Sequence, residues 1–467
     1  MYDKFNDECG VFGIFDHPEA ANMSYLGLYA LQHRGQEGCG IAASNGDQIR
    51  THVGSGLVSD VFKDQKIFKS LPGKSAIGHV RYSTSGDKAV QNCQPISVNY
   101  SRGSISVAHN GNLVNAEQVR EDLEKSGSIF STTSDTEVIV HLLARSRADD
   151  LEDRIAEALK VVRGAYSLVF LSETRMVAVR DPGGFRPLVL GKVDGSYVVA
   201  SETCALDLIE AEYVREVEAG EMIVFDKEGM TTLFPFEKQR LSRCIFEFIY
   251  FARPDSTIFG QQVYEVRKNF GRELAREHAI DADVVIPVPD SGVPSAIGYA
   301  EESGISYQMG LIRNHYVGRT FIEPQQSIRH FGVKIKLNAI REVFQGKRVI
   351  VVDDSIVRGT TSRKIIKMIR KAGAREIHMR VSSPPTSYPC YYGVDTPTRK
   401  ELISSSHTID EICRYITADT LGYLTIDGMR RVVGDESGCG GFCDACFCGN
   451  YPVKFPQLAE EGQLGLF

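Results

Sequence analysis

No apolar run in this chain approaches the roughly 20 residues needed to span a bilayer. The first residues, Met1 to Glu8, are acidic and polar where a signal peptide would be basic and then apolar. No membrane partner is expected, and a cytoplasmic location is. Positive charge is also scarce: the formal net charge is -7, without a Lys/Arg block or basic heptad pattern, which argues against a nucleic-acid partner. Any phosphate binding must then be local. A disulfide framework is not expected, because the cytosol keeps thiols reduced; among the 11 cysteines, clustered ones read as metal ligands or nucleophiles. A chain of 467 residues with 42% hydrophobic content is too long for one core and predicts two or three globular domains.

The chain is organised around Val349-Ile350-Val351-Val352-Asp353-Asp354-Ser355-Ile356-Val357-Arg358-Gly359-Thr360-Thr361-Ser362. Its first four residues read as a parallel strand buried on both faces. A turn of Gly and hydroxyl residues then opens a helix over Ser362 to Lys371, so backbone N–H groups and a helix N-terminus converge where a phosphate would sit. Asp353 and Asp354 fall at the carboxyl end of the strand, where open α/β sheets place ligands, and could meet sugar hydroxyls or Mg2+. The stretch resembles the phosphoribosyl pyrophosphate (PRPP) loop of type I phosphoribosyltransferases. That resemblance implies that Asp353 and Asp354 address ribose and Mg2+ while Ser355 to Thr361, with Arg358, Gly359 and Thr360 among them, cradle the 5′-phosphate.

At the other end, Asn6-Asp7-Glu8-Cys9-Gly10-Val11-Phe12-Gly13-Ile14-Phe15 puts a cysteine at the head of an alternating strand. A lone cysteine is ordinarily a buried structural thiol. Here Ala30 to Gly38 (ALQHRGQEG), Gly78 to Gly86 (GHVRYSTSG), His109-Asn110-Gly111-Asn112-Leu113 and Ser134-Asp135-Thr136-Glu137 follow in order. Together they resemble a class II glutamine amidotransferase, an N-terminal-nucleophile hydrolase. The resemblance implies that residues 1–8 are a propeptide, because the freed α-amine of Cys9, with a pKa of about 8, serves as base for its own thiol. It implies Asn110 and Gly111 as the oxyanion hole and a glutamine-binding set of Arg34, Arg81, Tyr82 and Asp135. In that set Arg81 takes the α-carboxylate, Asp135 takes the α-ammonium, and Arg34 and Tyr82 order the site. Cys39 and Cys93 match no catalytic motif and read as packing residues; His33, His79 and His109 read as turn or core hydrogen-bonding groups. Short β runs punctuated by glycine, with helices near Asn22 to Gln32 and Thr136 to Ala144, suit the αββα sandwich of that family.

The pattern changes after Phe234-Pro235-Phe236, which sets the expected domains as 9–235 and 236–467. Tyr264 to His278 reads as an amphipathic helix leading into the strand Asp283 to Val288. The small residues of Pro289-Asp290-Ser291-Gly292-Val293-Pro294 suit close approach to pyrophosphate, and the resemblance assigns Asp290, Ser291 and Gly292 to PRPP, with Ser291 also at Mg2+. The aperiodic, basic Asn314 to Asn338 reads as a lid whose Arg319 and Lys336 reach the pyrophosphate. Near the C-terminus, Cys439, Cys443, Cys446 and Cys448 crowd one Gly-rich loop, a pattern that by itself suits zinc or an iron–sulfur cluster equally.

Joined, the halves resemble the amidophosphoribosyltransferase family, of the iron–sulfur type. This implies an αββα glutaminase followed by a parallel-sheet phosphoribosyltransferase domain, with glutamine and PRPP as substrates and purine nucleotides as feedback inhibitors. It further implies one Mg2+ and one [4Fe–4S] cluster per subunit, the cluster held by Cys244, Cys390, Cys443 and Cys446, and a homotetramer. Tyr250 and Arg253 are candidates for coupling the domains. A local zinc site from Cys439, Cys443, Cys446 and Cys448 stays open as the alternative. Another Cys-first amidotransferase would explain only the first half. A PRPP-sensing regulator would explain Val349 to Ser362 but would have no use for Cys9, Arg81 and Asp135.

Overall fold

Two antiparallel sheets build the first half. One runs, in spatial order, Glu212–Glu216, Val189–Val193, Ser196–Ala200, Gly10–Phe15, Ser75–Arg81, Gly38–Ser44, Ile49–Ser55; the other runs Gly229–Leu233, Met222–Asp226, Met176–Arg180, Gly164–Ser172, Gly103–Leu113, Ile96–Tyr100. This computed structural model describes residues 9–82, 90–314, 337–394, 396, 398–435 and 441–454. Alternation along Gly10–Phe15 explains the layering: Val11 joins Ile77, Ala108, Val169 and Leu190 between the sheets, while Phe12 and Ile14 pack under helices Ala20–Ala30 and Thr203–Leu208. Helices Ala116–Lys125, Glu137–Arg145 and Leu151–Val161 cover the second sheet through Val119, Val138 and Ile155 against Leu168 and Val177. The result is the expected αββα sandwich.

The second half holds a parallel sheet ordered Val284–Pro287, Arg348–Asp353, Glu376–Val381, Thr420–Tyr423. Ile350 and Val352 point into the core shared with helices Val263–Glu277 and Val293–Ser303, and Val349 and Val351 into that under Thr360–Lys371 and Ile409–Ile416. Burial on both faces is why this strand reads as a continuous apolar run. A capping box of Thr408 and Glu411 starts helix Ile409–Ile416.

Between the halves, residues 244–252 do not form one regular element. Arg243–Cys244 pairs in parallel with Phe442–Cys443, bringing Cys244 opposite Cys443, and Glu247–Phe251 is a π-helical turn. Its neighbours Ile245, Phe246, Phe248 and Ile249 belong to the same core as Val285 and Ile350. Residues 1–8, most of the expected lid including Arg319 and Lys336, and Cys439 lie outside the described residues.

Candidate active site

Cys9 directly precedes strand Gly10–Phe15 and is 8% exposed. Its Sγ lies 3.4 Å from the Tyr82 carbonyl, to which it donates, so it is through the backbone that Tyr82 meets the thiol. Val11 is paired with His79 on the next strand, and His79 Nε2 is 3.0 Å from the His109 carbonyl of the opposing sheet. That contact brings the Cys9 end of one sheet to Asn110 on the other.

Asn110 is buried, and its Nδ2 has no hydrogen-bond partner among the described residues. An unsatisfied buried donor is costly, by about 1–3 kcal/mol. Gly111 has φ +149°, and a Cβ there would lie 2.0 Å from the Ala165 carbonyl oxygen, so no other residue fits. The Leu113 N–H donates to Asp135 Oδ2 at 2.9 Å, pinning this carboxylate beside the same strand. Arg81 ends its strand with its carbonyl accepting from the Glu37 N–H, and its guanidinium draws down the Cys93 thiol, which burial nevertheless holds above the ordinary range. Burial pushes His79 down to about 3, so it is no base near neutrality, and also lowers His109. Both act as core hydrogen-bonding groups, His109 through Thr136 Oγ1 at 3.0 Å.

Arg34 departs from a glutamine contact. Its side chain is fully enclosed: Nε donates to the Cys9 carbonyl at 3.0 Å, and its terminal nitrogens meet Glu202 at 2.6 Å and Glu247 at 2.6 Å. It holds the backbone of Cys9. Burial alone would raise the Glu202 carboxyl, but His33 and Arg34 beside it hold it well below the ordinary range. Glu202 also accepts from the Arg253 N–H at 2.9 Å and the Ser256 hydroxyl at 2.7 Å, docking that turn on the first half.

At the carboxyl end of strand Arg348–Asp353, Asp353 and Asp354 are each 1% exposed. The Asp354 N–H donates to Asp353 Oδ1 at 3.0 Å, and the Ser291 and Ser355 hydroxyls both donate to the Asp354 carboxylate. Two loops far apart in sequence therefore meet. Gly292 makes this possible, because a Cβ would lie 2.6 Å from the Val352 carbonyl oxygen. Gly359, at φ +74°, caps helix Thr360–Lys371 and starts it with Thr360 and Thr361 at the turn. Asp290 pairs with Arg313, and the Arg358 guanidinium donates to Glu401 at 3.1 Å. These two side chains are engaged by protein groups.

Cys244, Cys390, Cys443 and Cys446 line one recess with Phe185, Phe246 and Tyr392. Among the described residues no group of three or more His, Cys, Asp or Glu converges to hold a single ion. Four thiols around an apolar recess are the ligand type that an iron–sulfur cluster or a zinc ion would take. Burial pushes the Cys443 and Cys446 thiols well above the ordinary range.

Sequence reasoning missed four buried charges: Arg186, Glu202, Glu247 and Arg267. Arg267 donates to the Phe248 and Ala252 carbonyls at 2.6 and 2.8 Å; burial presses it down to about 10, opposed by the nearby Asp354. Only Glu247 carried a sequence signal, as a lone carboxylate inside the apolar run of residues 244–252.

Comparison with known proteins joins these features. Residues 79–208 match the glutamine amidotransferase domain family and residues 263–389 the phosphoribosyl transferase domain family. The chain is 55% identical to amidophosphoribosyltransferase 2, chloroplastic, of Arabidopsis thaliana, over 97% of this chain and 80% of that one. It is 52% identical to amidophosphoribosyltransferase of Bacillus subtilis, over 97% and 95%. The solved glutamine PRPP amidotransferase of B. subtilis, complexed with ADP and GMP, superposes with a TM-score of 0.91 at 51% identity, covering 96% of this chain and 98% of that one.

Proposed function

We infer the chemistry from one premise: this chain belongs to the amidophosphoribosyltransferase family, whose members transfer nitrogen from glutamine to PRPP in the first step of purine biosynthesis. The products are 5-phosphoribosylamine, glutamate and pyrophosphate. Residues 9–235 act as the glutaminase domain and 236–467 as the phosphoribosyltransferase domain with its cluster-binding segment.

Cys9, exposed as an N-terminus by loss of residues 1–8, gives its thiol proton to its own α-amine and attacks the glutamine side-chain carbonyl. The orphaned Nδ2 of Asn110 is the observation that carries this reading: together with the Gly111 N–H it supplies donors for the oxyanion, usually the largest catalytic term. Collapse of the tetrahedral intermediate breaks the C–N bond; the α-ammonium returns the proton to ammonia, and water then hydrolyses the thioester to glutamate. Arg81 and Asp135 select free glutamine by its α-carboxylate and α-ammonium.

Ammonia passes inside the protein to C1 of PRPP and displaces pyrophosphate. Asp353 and Asp354 address the ribose, Ser355 to Thr361 hold the 5′-phosphate, and Asp290 to Gly292 meet the pyrophosphate with Arg319 and Lys336. Asp353, Asp354 and Ser291 would hold Mg2+, an ion that takes one or two carboxylates plus substrate phosphates; when bound it neutralises charge on the leaving pyrophosphate. Cys244, Cys390, Cys443 and Cys446 would hold a [4Fe–4S] cluster with a structural task, tying residue 244 to the C-terminal segment. ADP and GMP on the solved relative support purine nucleotides as feedback inhibitors of this chain. A homotetramer in the cytoplasm completes the proposal; no helix among the described residues is long and apolar enough to cross a membrane.

Glutamate release from purified enzyme, with and without PRPP and Mg2+, tests the reading, alongside the mass of the N-terminus. Mature enzyme beginning at Cys9, with Cys9→Ala using ammonia but not glutamine, is the expected result. Glutamine-dependent synthesis by Cys9→Ala, or by enzyme retaining Met1, would overturn it.

A further inference from the structure

Glu247 lies in the π-helical turn Glu247–Phe251, with a side chain that is 0% exposed. A carboxylate taken wholly out of water costs several kcal/mol unless paired, and here two arginines pair with it. Arg34 approaches end-on with both terminal nitrogens, Nη2 to Oε1 at 2.6 Å and Nη1 to Oε2 at 2.9 Å. Arg186 Nη1 reaches Oε1 at 3.4 Å. Each arginine then holds a backbone carbonyl: Arg34 Nε that of Cys9 at 3.0 Å, and Arg186 Nε and Nη2 that of Tyr392 at 3.1 and 2.6 Å.

Both carbonyls border the glutaminase chemistry. The Cys9 carbonyl belongs to the residue carrying the thiol. The Tyr392 carbonyl leads into Gly393, whose Cβ, were one present, would lie 3.0 Å from the Gly111 carbonyl carbon; the neighbouring Asn112 donates to the Tyr391 carbonyl at 2.9 Å. One carboxylate therefore braces the strand end bearing the nucleophile and the segment against the oxyanion glycine. Its own backbone is anchored elsewhere: Phe248 and Ile249 sit in the core with Val285 and Ile350, and Arg267 ties the turn to the helix beside the Asp354 loop.

We propose that Glu247 is a positioning residue for glutamine hydrolysis, fixing through Arg34 and Arg186 the distance between the Cys9 thiol and the Asn110–Gly111 donors. The inference rests on the reading of Cys9 as nucleophile and deepens it, making the glutaminase geometry depend on a side chain anchored in the core of the other half. Glu247 touches no substrate. It acts only by alignment, and misalignment by about 1 Å is enough to cost a hundredfold in rate.

Glu247→Gln keeps the shape and removes the charge that the two guanidiniums share. Two measurements on the full-length holoenzyme decide the matter: kcat and KM for glutamine with PRPP present, and PRPP-dependent amine synthesis with ammonium replacing glutamine. Expected are a fall in glutamine kcat of about tenfold or more, a glutamine KM within about twofold because Arg81 and Asp135 are untouched, and ammonia-dependent synthesis within about twofold. Glu247→Asp should recover part of the kcat, and Arg34→Lys combined with Glu247→Asp should cost less than the sum of the two single changes, as contacting residues do. Folded Glu247→Gln with normal glutamine kcat, a parallel fall of both activities, or strict additivity with Arg34→Lys would each overturn the proposal. Where Glu247→Gln does not fold, the cycle of Arg34→Lys and Glu247→Asp decides between coupling and independence. The Cys9→Ala result separates the two levels: if it retains glutamine use, the nucleophile reading fails, whereas normal kcat in Glu247→Gln beside an inert Cys9→Ala sinks only the positioning role.

Discussion

Gly393 stands against Gly111, backbone to backbone, although the two are far apart along the chain: a Cβ on Gly393 would lie 3.0 Å from the Gly111 carbonyl carbon and 3.1 Å from its Cα. Gly393 also has φ +109°, a conformation that side chains rarely adopt. The contact joins the segment just after Cys390 to strand Gly103–Leu113, which holds Asn110 and Gly111.

Gly393→Ala is accordingly expected to damage glutamine use selectively. Strain at positive φ costs about 1–2 kcal/mol, and relief requires moving the Gly111 strand. Glutamine-dependent synthesis should drop by about tenfold or more while ammonia-dependent synthesis changes little. Steady-state assays with the two nitrogen sources check this, and equal losses with both would argue against the contact's importance.

Asn110→Ala removes the orphaned donor. A single oxyanion donor is worth about 10²–10³ in kcat, so glutamine hydrolysis should slow by that factor with KM nearly constant. The folded state should not suffer, since the amide has no partner in it among the described residues. Comparing kcat, KM and melting temperature with the unsubstituted enzyme measures all three.

His79 gives a pH signature. Folded, it takes a proton only near pH 3, whereas its ordinary value is 6.5. Between those values the unfolded chain binds a proton that the folded chain refuses, so stability falls as pH falls, with a slope of about 1.4 kcal/mol per pH unit at most. His79→Gln lacks this titration. The stability gap between the two proteins should narrow in acid, read from denaturant unfolding at pH 7, 5 and 4; parallel curves would refute it. No inflection from His79 should enter the activity profile near neutrality.

Cys446→Ser removes one of the four thiols lining the apolar recess. Purified enzyme should lose its visible charge-transfer absorption and its iron, and melt several degrees lower, because binding that occurs only in the folded state is folding free energy. Cys448→Ser, outside that quartet, should leave colour, iron and melting temperature unchanged. Zinc in place of iron, or loss of metal in Cys448→Ser, would favour the local site instead.

Much of the architecture was legible because its signals are local. The continuous apolar run of Val349 to Val352, buried on alternate sides, the glycine turn before Thr360 and the capping box at Thr408 each follow from neighbours along the chain. Strand Gly103–Leu113 runs on through His109 to Asn112 because its polar end continues to pair with Gly164–Ser172, which no propensity in those residues announces. The apolar run after Cys244 hid an irregular turn, since burial favours the same residues whatever the backbone does.

By itself the sequence determined the two chemistries, because a cysteine at the head of a strand, the ordered amidotransferase motifs and the acid-flanked glycine turn are short-range patterns. Only the tertiary structure decided how they are braced together. Arg34, Glu202, Glu247 and Arg186 are scattered through the chain, and a buried ion network has no period or motif. Its members pair only after both cores have excluded water, when leaving any one of them unpaired would cost more than the fold can spare.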